Sequence, residues 1–329
     1  MSAPSLSVIV PMFNAPEKLE RSLAALKASN VPFELIVVDD ASTDPRSADV
    51  ARAAGAELLR LSKNSGPGVA RNGGARHARG DVLVFVDSDV VVHGDALSKF
   101  RALFEREPEL DAAFGSYDDT PFEKGLVTEY RNLLHHYVHQ TGPASATTFW
   151  AGCGAMKRDV FAEVGGYDAA FDRPSIEDIE LGMRLKARGK TIRLDPTIQC
   201  THLKRWKFLD MIRVDVTCRA IPWAKLLIER PGTGGDLNLQ LSQKLCGVLV
   251  VLAVGALLGA GVAQLFAPSA WWFAAPLALL APVVWVNRGL YALFLRHKGP
   301  LFALGAVPLH FLYYLYSVAA FAYTQLRYR

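Results

Sequence analysis

Residues 81–89 read DVLVFVDSD, a short apolar run that ends in two carboxylates. A run of this kind is typical of a strand that is buried on both faces of a sheet. Asp87 and Asp89 then stand at the carboxyl end of that strand, which is where ligands bind in open α/β sheets. Two acidic groups so close together are costly unless positive charge lies between them. The stretch therefore predicts a divalent cation that holds a diphosphate at this edge of the sheet.

The chain around this stretch alternates between strand-like and helix-like segments. Strands are predicted at 5–10, 34–38, 56–61 and 81–86, and helices at 17–29, 47–54 and, after a glycine-rich loop, up to residue 78. This alternation predicts right-handed βαβ units and a mainly parallel sheet, so the expected fold class is α/β. Further on, the sequence predicts an irregular or helical insertion at 120–143, strands at 149–156, 190–194 and 197–200, and helices at 158–164 and 179–188.

The last part of the chain is mostly apolar. Residues 245–266, 270–286 (extendable to 295) and 301–323 are three apolar runs near the length that crosses a hydrocarbon core of about 30 Å. Three runs in succession favour membrane spans over buried helices. Residues 204–230 interleave basic with large apolar side chains, which is typical of helices in a membrane interface; a surface helix packed on the soluble core is the alternative. We therefore expect an integral membrane protein with regions at 1–202, 203–243 and 244–329.

The short basic loop at residues 296–298 gives an expected orientation. Short loops rich in Lys and Arg stay on the cytoplasmic side of a membrane. The first run would then leave the cytoplasm, the second would return, and the N-terminal domain would be cytoplasmic. Arg327 and Arg329 would end outside, against the same rule, which leaves open whether the third run spans the membrane, re-enters or lies in the interface.

Charge and cysteine content exclude some classes of function. The formal net charge is +4, and Lys and Arg are scattered without a basic stripe, so no nucleic-acid partner is expected. The four cysteines show no CxxC spacing, which argues against a zinc site or a redox motif. Their unpaired scatter suits a reducing compartment.

Two further junctions carry polar residues. Asp39 and Asp40 follow the second predicted strand, where a carboxylate can accept a hydrogen bond from a base or a ribose; capping of the next helix is the alternative. Residues 64–72, NSGPGVARN, place glycines before a helix, where backbone N–H groups and Arg71 can approach a phosphate, although the segment is equally typical of a turn. It is neither a P-loop nor a dinucleotide fingerprint. Three such junctions at one sheet edge favour a ligand site.

Two candidates lie later in the chain. Glu177 and Asp178 begin a predicted helix, where an acid is usually a cap; alternatively, Asp178 faces the crevice and takes a proton from an attacking hydroxyl. His202 follows the last predicted strand and is either structural or completes the coordination of an ion held by Asp89. The residues alone leave both choices open.

The order of these motifs resembles the family 2 glycosyltransferases, which have the GT-A fold. The resemblance covers residues 5 to about 206 and rests on VIVP at 8–11, VVDDASTD at 37–44, NSG at 64–66, ARN at 70–72, DSD at 87–89, GCGAM at 152–156, GGYD at 165–168, and ED at 177–178 with Leu181 and Arg184. It implies a Rossmann-like, mainly parallel catalytic domain. It also implies an inverting transfer of sugar from a UDP- or GDP-sugar with Mg²⁺ or Mn²⁺.

The resemblance also implies roles for individual residues. Asp178 would be the catalytic base, and Asp89 with Asp87 would hold the metal ion and the diphosphate, with His202 as the further candidate ligand. The nucleotide-sugar side would comprise Pro11, Asn14, Asp39, Asp40, Ser42, Gly66, Arg71, Asp87 and Ser88.

A further motif concerns the acceptor. Membrane-bound relatives carry Q/R-x-x-R-W after the base, and residues 202–206 here read HLKRW, so Arg205 and Trp206 match while the first position does not. With Glu177, these two residues are expected on the acceptor or diphosphate side.

The leading hypothesis is a membrane-anchored glycosyltransferase that acts on a lipid or lipid-linked acceptor. A polysaccharide synthase of the same family is one alternative, which the mismatch in the HLKRW segment makes less secure. A catalytically silent GT-A scaffold for other membrane enzymes is another. A nucleotidyltransferase would need a basic loop near the N-terminus, and residues 11–14, PMFN, carry no Arg or Lys.

Overall fold

The computed structural model describes residues 3–230 and 240–328. Met1, Ser2, Arg329 and the stretch 231–239 of the expected linker lie outside the described residues. The chain divides into two compact units. The first comprises Met1–Lys124 and Val138–Arg205, and the second comprises Gly125–Tyr137 and Trp206–Arg329.

Within residues 3–230, eight strands form one sheet in the order β3-β2-β1-β4-β7-β6-β8-β5. Their bounds are β1 Leu6–Met12, β2 Glu34–Asp39, β3 Glu57–Arg60, β4 Val82–Val86, β5 Val90–Val92, β6 Ala112–Tyr117, β7 Cys153–Lys157 and β8 Ile192–His202. The accompanying helices are α1 Pro16–Lys27, α2 Arg46–Ala53, α3 Pro67–His77, α4 Ala96–Arg106, α5 Leu126–Thr141, α6 Arg158–Val164 and α7 Glu177–Ala187.

The sheet confirms the α/β prediction and refines it. Strands β3, β2, β1 and β4 are parallel, as the alternating pattern predicts. The other half is mixed, because β7 runs antiparallel to β4 and β6, while β5 runs antiparallel to β8. The two strands expected at 190–194 and 197–200 are one strand, β8, whose register against β6 shifts beyond Leu194. Pro196, which has no N–H to donate, lies in that shifted part.

Parallel pairing brings the carboxyl ends of β1, β2 and β4 to one edge of the sheet. Strand β4, which leads into the DSD stretch, is wholly buried and is anchored by aromatic packing. The Phe85 ring lies 5.6 Å from the ring of Tyr167 and 6.4 Å from that of Phe149, in edge-to-face geometry. Truncating a buried Phe of this kind costs about 3–5 kcal/mol. The packing therefore fixes the strand end that presents the two aspartates.

The second unit is helical. The expected interfacial segment contains α8 Phe208–Val214, a π-helical stretch Asp215–Ala220 and α9 Ile221–Glu229. The later helices are α10 Leu241–Phe266, a 3₁₀ turn Ala270–Phe273, α11 Ala274–Val286, α12 Arg288–Lys298 and α13 Pro300–Tyr328. Among the residues described, α10 and α13 are long and apolar enough to cross a membrane. Leu258 and Leu265 on α10 are 68% and 80% exposed, which fits a lipid-facing surface.

The second apolar run is not one straight helix. Residues 270–286 and 288–298 meet at a bend of 74°, and they supply a third crossing only if the bent pair is one span. Asn287 sits at the bend and is buried. Its side-chain amide donates to the Val283 carbonyl at 2.9 Å and to the Tyr314 hydroxyl at 3.0 Å. Side chains that insert into a helix in this way bend it, which accounts for the break.

Candidate active site

The first part of the site is the turn that follows β2. The buried carboxylate of Asp39 accepts hydrogen bonds from the Ser42 backbone N–H and from Arg60 Nη1, both at 2.8 Å. The Ser42 hydroxyl accepts from the backbone N–H of Asn14 at 3.0 Å, which ties the turn to the end of β1. Ala41, in the middle of the turn, has a φ of +59°, so the backbone is left-handed there. Asn14, Asp39 and Ser42 are therefore brought together.

Pro11 and Asn14 differ in exposure although both were expected on the nucleotide side. Pro11 is buried inside β1, paired with Val38 of β2. Asn14 is exposed, and its Oδ1 accepts from the backbone N–H groups of Thr43 at 2.8 Å and Asp44 at 3.0 Å. Asn14 thus organises the turn after β2 from outside, while Pro11 belongs to the core beneath it.

The second part is the glycine-rich loop that leads into α3. Both carboxylate oxygens of Asp40 are occupied by this loop, by the backbone N–H of Ser65 at 2.7 Å and of Gly66 at 2.9 Å. Burial raises the pKa of Asp40 above its ordinary value despite these bonds. Gly66 has a φ of +89°, and a Cβ there would come within 2.7 Å of the Asp172 carbonyl carbon. Only glycine fits this position, and Asp40 holds it in place.

Arg71, on α3, connects two parts of the site. Its buried guanidinium donates from Nη2 to Asp87 Oδ1 at 2.5 Å and from Nη1 to Glu177 Oε1 at 3.2 Å. It also lies over the Tyr167 ring, 5.3 Å from the centroid. Burial lowers the pKa of Arg71, but the charges of Asp87 and Glu177 more than reverse this. Arg71, expected on the nucleotide side, is used inside the protein to join the DSD turn to the start of α7.

The third part is the turn Asp87-Ser88-Asp89, in which Ser88 is half-buried. The Asp89 carboxylate lies beside His202, with 3.6 Å between Oδ2 and Nε2, because β5 and β8 pair Val90 directly with His202. The Tyr117 ring stacks on the imidazole at 4.6 Å. Burial raises the pKa of Asp89, but its interaction with His202 and the charges of nearby lysines outweigh this effect and hold the pKa at about 2. The carboxylate is therefore ionised and available to a cation.

The fourth part is Asp178 in the first turn of α7. Its carboxylate accepts from the backbone N–H of Ala151 at 3.3 Å and of Ile179 at 2.8 Å. Burial and the charge of Glu177 raise the pKa of Asp178 to about 7, against the opposing effect of Arg71. Glu177 itself is buried and also accepts from the Ser175 N–H at 2.9 Å. A carboxyl with this pKa can accept a proton near neutral pH.

One short turn holds the third and fourth parts together. The Gly152 carbonyl accepts from the Asp87 backbone N–H at 3.2 Å, while Ala151, one residue earlier, donates to Asp178. The second part is connected to both through Arg71. The acidic residues expected from separate elements are therefore linked into one constellation at the carboxyl edge of the sheet.

Arg205 and Trp206 are not part of this described network. Arg205 is exposed at the end of the first unit. Trp206 is buried in the second unit, where the guanidinium carbons of Arg131 and Arg219 lie 5.6 Å and 5.8 Å from its ring. Their expected place on the acceptor side stays a prediction.

Two of the three expected metal ligands are placed where they could bind a cation. Within residues 3–230 and 240–328, no group of three or more His, Cys, Asp or Glu side chains is assembled for a metal ion. Asp89 and His202 offer a carboxylate and an imidazole side by side, which is a suitable donor pair for a divalent cation. Asp87 is instead turned to Arg71. The remaining coordination positions would fall to donor phosphates and water, as is usual for Mg²⁺.

The structure adds site residues that sequence reasoning missed. Lys18 on α1 approaches Asp89, and nothing in the pattern distinguishes it from other surface lysines. Tyr117 ends β6, a strand that the loosened pattern after residue 110 did not predict. Ala151 acts through its backbone N–H, which no side-chain motif can reveal.

Comparison with known proteins shows which family the domain resembles. The family model "Glycosyl transferase family 2" matches residues 7–165. An uncharacterised glycosyltransferase of Bacillus subtilis is 26% identical over 270 residues, covering 64% of this chain and 68% of that protein. The undecaprenyl-phosphate 4-deoxy-4-formamido-L-arabinose transferase of Shewanella sediminis is 35% identical over 95 residues, covering 26% of this chain and 28% of that protein.

A solved structure shares the fold. The mannosyltransferase from Pyrobaculum calidifontis, in complex with GDP-Man and Mn²⁺, superposes with a TM-score of 0.61 at 18% identity, covering 100% of this chain and 89% of that one. At this identity the likeness concerns the fold alone. Residues 7–165 thus form a family 2 glycosyltransferase domain on a GT-A fold, and the chain is a glycosyltransferase.

Proposed function

We infer that this protein is an inverting, metal-dependent glycosyltransferase that moves a sugar from a UDP- or GDP-sugar to a lipid or lipid-linked acceptor at the cytoplasmic face of a membrane. The observation that carries the proposal is the turn at residues 151–152. It holds Asp178, a carboxyl with a raised pKa, next to the DSD turn, where Asp89 and His202 lie together.

Asp178 is the proposed general base. A base that works near neutral pH needs a pKa near 7, and burial beside Glu177 supplies this for Asp178. The carboxylate would take the proton of the acceptor hydroxyl as its oxygen attacks the anomeric carbon. Attack from the side opposite the leaving diphosphate inverts the configuration at that carbon.

Asp89 and His202 are the proposed holders of Mg²⁺ or Mn²⁺. A bound cation would neutralise the charge that grows on the leaving diphosphate. Asp87 is proposed to lie on the same metal and diphosphate side while it stays paired with Arg71. The positive charge of Arg71 offsets the repulsion between the two aspartates of the turn. The mannosyltransferase that shares the fold was solved with Mn²⁺, which supports a divalent cation here.

The nucleotide is proposed to lie against the turn after β2 and the start of α3. The turn contains Asp39 and Ser42, and Asp40 holds Gly66 in place at the start of α3. GDP-Man in the mannosyltransferase that shares the fold supports a nucleoside diphosphate sugar as donor.

The acceptor is proposed to be a membrane lipid or a lipid-linked sugar. The apolar helices of the second unit support a membrane location, and the printed name of the Shewanella relative includes undecaprenyl phosphate. Glu177, Arg205 and Trp206 are assigned to this side. The proposed regions remain 1–202 for catalysis, 203–243 for the interface and 244–329 for the membrane, with the basic loop at 296–298 in the cytoplasm.

The test is a donor screen with the full chain in lipid nanodiscs. Labelled UDP- and GDP-sugars are supplied with a membrane lipid extract and Mn²⁺, Mg²⁺ or EDTA, and lipid products are identified by mass. Wild type should give a metal-dependent glycolipid product, and Asp178→Asn should abolish it while nucleotide binding persists. Asp49→Asn, which changes an exposed acid on α2, is the matched control and should behave as wild type.

Two outcomes would contradict the proposal. If Asp178→Asn transfers sugar at the wild-type rate, Asp178 is not the base, and its role is that of a helix cap. A wild-type chain that neither turns over nor binds any nucleotide would favour the catalytically silent scaffold. A polymeric rather than a single-sugar product would point to the polysaccharide synthase.

A further inference from the structure

Lys18, in the first half of α1, reaches the cation side of the site. Its Nζ lies 3.9 Å from Oδ2 of Asp89. The Lys18 side chain is 40% exposed and that of Asp89 is 26% exposed, so both remain open to solvent and to a ligand. Ion pairs with this exposure contribute little to stability, and they exchange partners readily.

The same carboxylate oxygen serves two neighbours. Oδ2 of Asp89 lies 3.9 Å from Lys18 Nζ and 3.6 Å from His202 Nε2. The charge of Lys204 also acts on this carboxylate. Positive and polar groups from α1 and from the end of β8 therefore lie near the Asp89 carboxylate, where they can attract a polyanion.

A divalent cation and the Lys18 ammonium would compete for Oδ2 of Asp89. Their like charges repel, so both cannot lie within bonding distance of one oxygen without a further anion between them. A lysine carries its charge on a flexible four-carbon stem and can move by several ångströms through rotamer changes alone. The donor diphosphate supplies the anion that would accept the displaced ammonium.

We propose that Lys18 is an exchangeable counter-ion of Asp89. It pairs with the carboxylate while the site is free of metal, and it turns to the donor diphosphate when a divalent cation takes the carboxylate. This rests on the proposed function, because it needs a nucleoside diphosphate in the crevice. Lys18 should therefore have two opposite effects: it should weaken binding of the metal ion alone, and it should strengthen binding of the nucleotide.

The test measures these two effects separately on the full chain. Mn²⁺ binding without nucleotide is measured by electron paramagnetic resonance, and binding of UDP and GDP in saturating Mn²⁺ by calorimetry. Lys18→Gln should bind Mn²⁺ about fivefold more tightly and the nucleoside diphosphates about fivefold more weakly, as expected for loss of an exposed ion pair. Uridine and guanosine, which lack phosphates, should bind both proteins equally.

Two variants control for charge. Lys18→Arg keeps the positive charge and should stay near wild type in both measurements. Lys27→Gln removes a charge of the same sign from the exposed last turn of the same helix and should also change neither. Because Lys18 is partly exposed, its replacement by Gln leaves the core of the domain intact.

The outcomes separate this proposal from the proposed function. If wild type binds Mn²⁺ and a nucleoside diphosphate but Lys18→Gln matches it in both, the Lys18 proposal is wrong and the function stands. Weaker Mn²⁺ binding by Lys18→Gln would also overturn it, since the lysine would then support the metal site. If wild type binds neither ligand, both proposals fail.

Discussion

Nη2 of Arg71 lies 2.5 Å from Oδ1 of Asp87, and this pair fastens the turn after β4 to the helix α3. The same guanidinium reaches Glu177, the residue before Asp178. Arg71 is almost completely buried, so its charge is balanced by these carboxylates rather than by water. The residue therefore helps to position the turn that carries Asp89 and the start of α7 that carries Asp178.

Arg71→Met should destabilise the first unit by about 3–5 kcal/mol, because it leaves the buried carboxylate of Glu177 and the half-buried carboxylate of Asp87 without their cation. Transfer activity should be lost with it. Arg71→Lys keeps the charge but cannot bond to both carboxylates as a planar fork, so it should fold with reduced activity. Thermal unfolding and turnover of each variant check these expectations.

The control for Arg71 is Arg52→Met. Arg52 pairs with Asp49 on the surface of α2, where both side chains are mostly exposed. An exposed pair contributes about 1 kcal/mol at most, so this variant should unfold close to wild type. An Arg71→Met protein as stable as Arg52→Met would show that the buried pair does not hold the site together.

The titration of Asp178 should set the pH dependence of catalysis. Its pKa of about 7 means that the base form accumulates only near and above neutral pH. We expect kcat/KM for transfer to rise with pH, with a half-point near 7, and then to level off. A rate that is already level at pH 5 would contradict the assignment of Asp178 as the base.

The same pKa carries a consequence for folding stability. The folded pKa of Asp178 lies above the unfolded value of about 3.9, so the folded state holds the proton more tightly between these two pH values. The contribution of Asp178 to stability is therefore fully present below about pH 4 and is lost as pH rises through 7. Asp178→Asn should flatten this part of the stability–pH curve.

The sequence predicted the parallel half of the sheet within a few residues, because long apolar runs alternate with amphipathic helices there. It did not predict β5, since three valines are too short to distinguish from a loop. It also missed β6, whose small residues and Gly115 give a weak strand pattern. The mixed half of the sheet depends on pairing between strands that are far apart in the sequence, which local patterns cannot predict.

The acidic residues of the site could be predicted because they follow strands, but their partners could not. Arg71 was expected to face the nucleotide, and only the fold shows that Asp87 and Glu177 occupy it. The backbone N–H of Ala151 and the Tyr117 ring reach the site from distant parts of the chain. No local spacing encodes such contacts.

Gly66→Ala should disrupt the loop that Asp40 holds. The new Cβ would lie 2.7 Å from the Asp172 carbonyl carbon, and the backbone φ of +89° is itself unfavourable for alanine. We expect a loss of about 1–3 kcal/mol in stability from this strain and at least about tenfold weaker donor binding. Chemical denaturation and nucleotide calorimetry measure the two effects.

Gly55→Ala is the control that distinguishes the cost of the positive φ from the cost of the steric clash at Gly66. Gly55 also has a positive φ, of +74°, but no heavy atom lies within 4 Å of its would-be Cβ. This variant should therefore show only the backbone cost, about 1 kcal/mol, with donor binding unchanged. Equal donor binding by both variants would mean that the position of Gly66 does not matter to the nucleotide.

The second unit should depend on a buried charge cluster around Asp215, which lies on the π-helical stretch. Its carboxylate accepts from Arg131 at 2.7 Å, from Arg219 at 2.9 Å and from the Tyr316 hydroxyl at 2.6 Å. Asp215→Asn leaves two arginines without their counter-ion, which should cost about 3–5 kcal/mol. Tyr316→Phe removes one hydrogen bond to a charged group and should cost about 1.5–3 kcal/mol.

Thermal unfolding of the full chain in detergent micelles ranks these variants. The matched control is Asp210→Asn, because Asp210 pairs with Arg213 one turn earlier while both side chains are more than half exposed. The expected order of unfolding temperatures is Asp210→Asn closest to wild type, then Tyr316→Phe, then Asp215→Asn. If Asp215→Asn unfolds at the temperature of Asp210→Asn, solvent or lipid must already balance the arginines, and the cluster does not stabilise the unit.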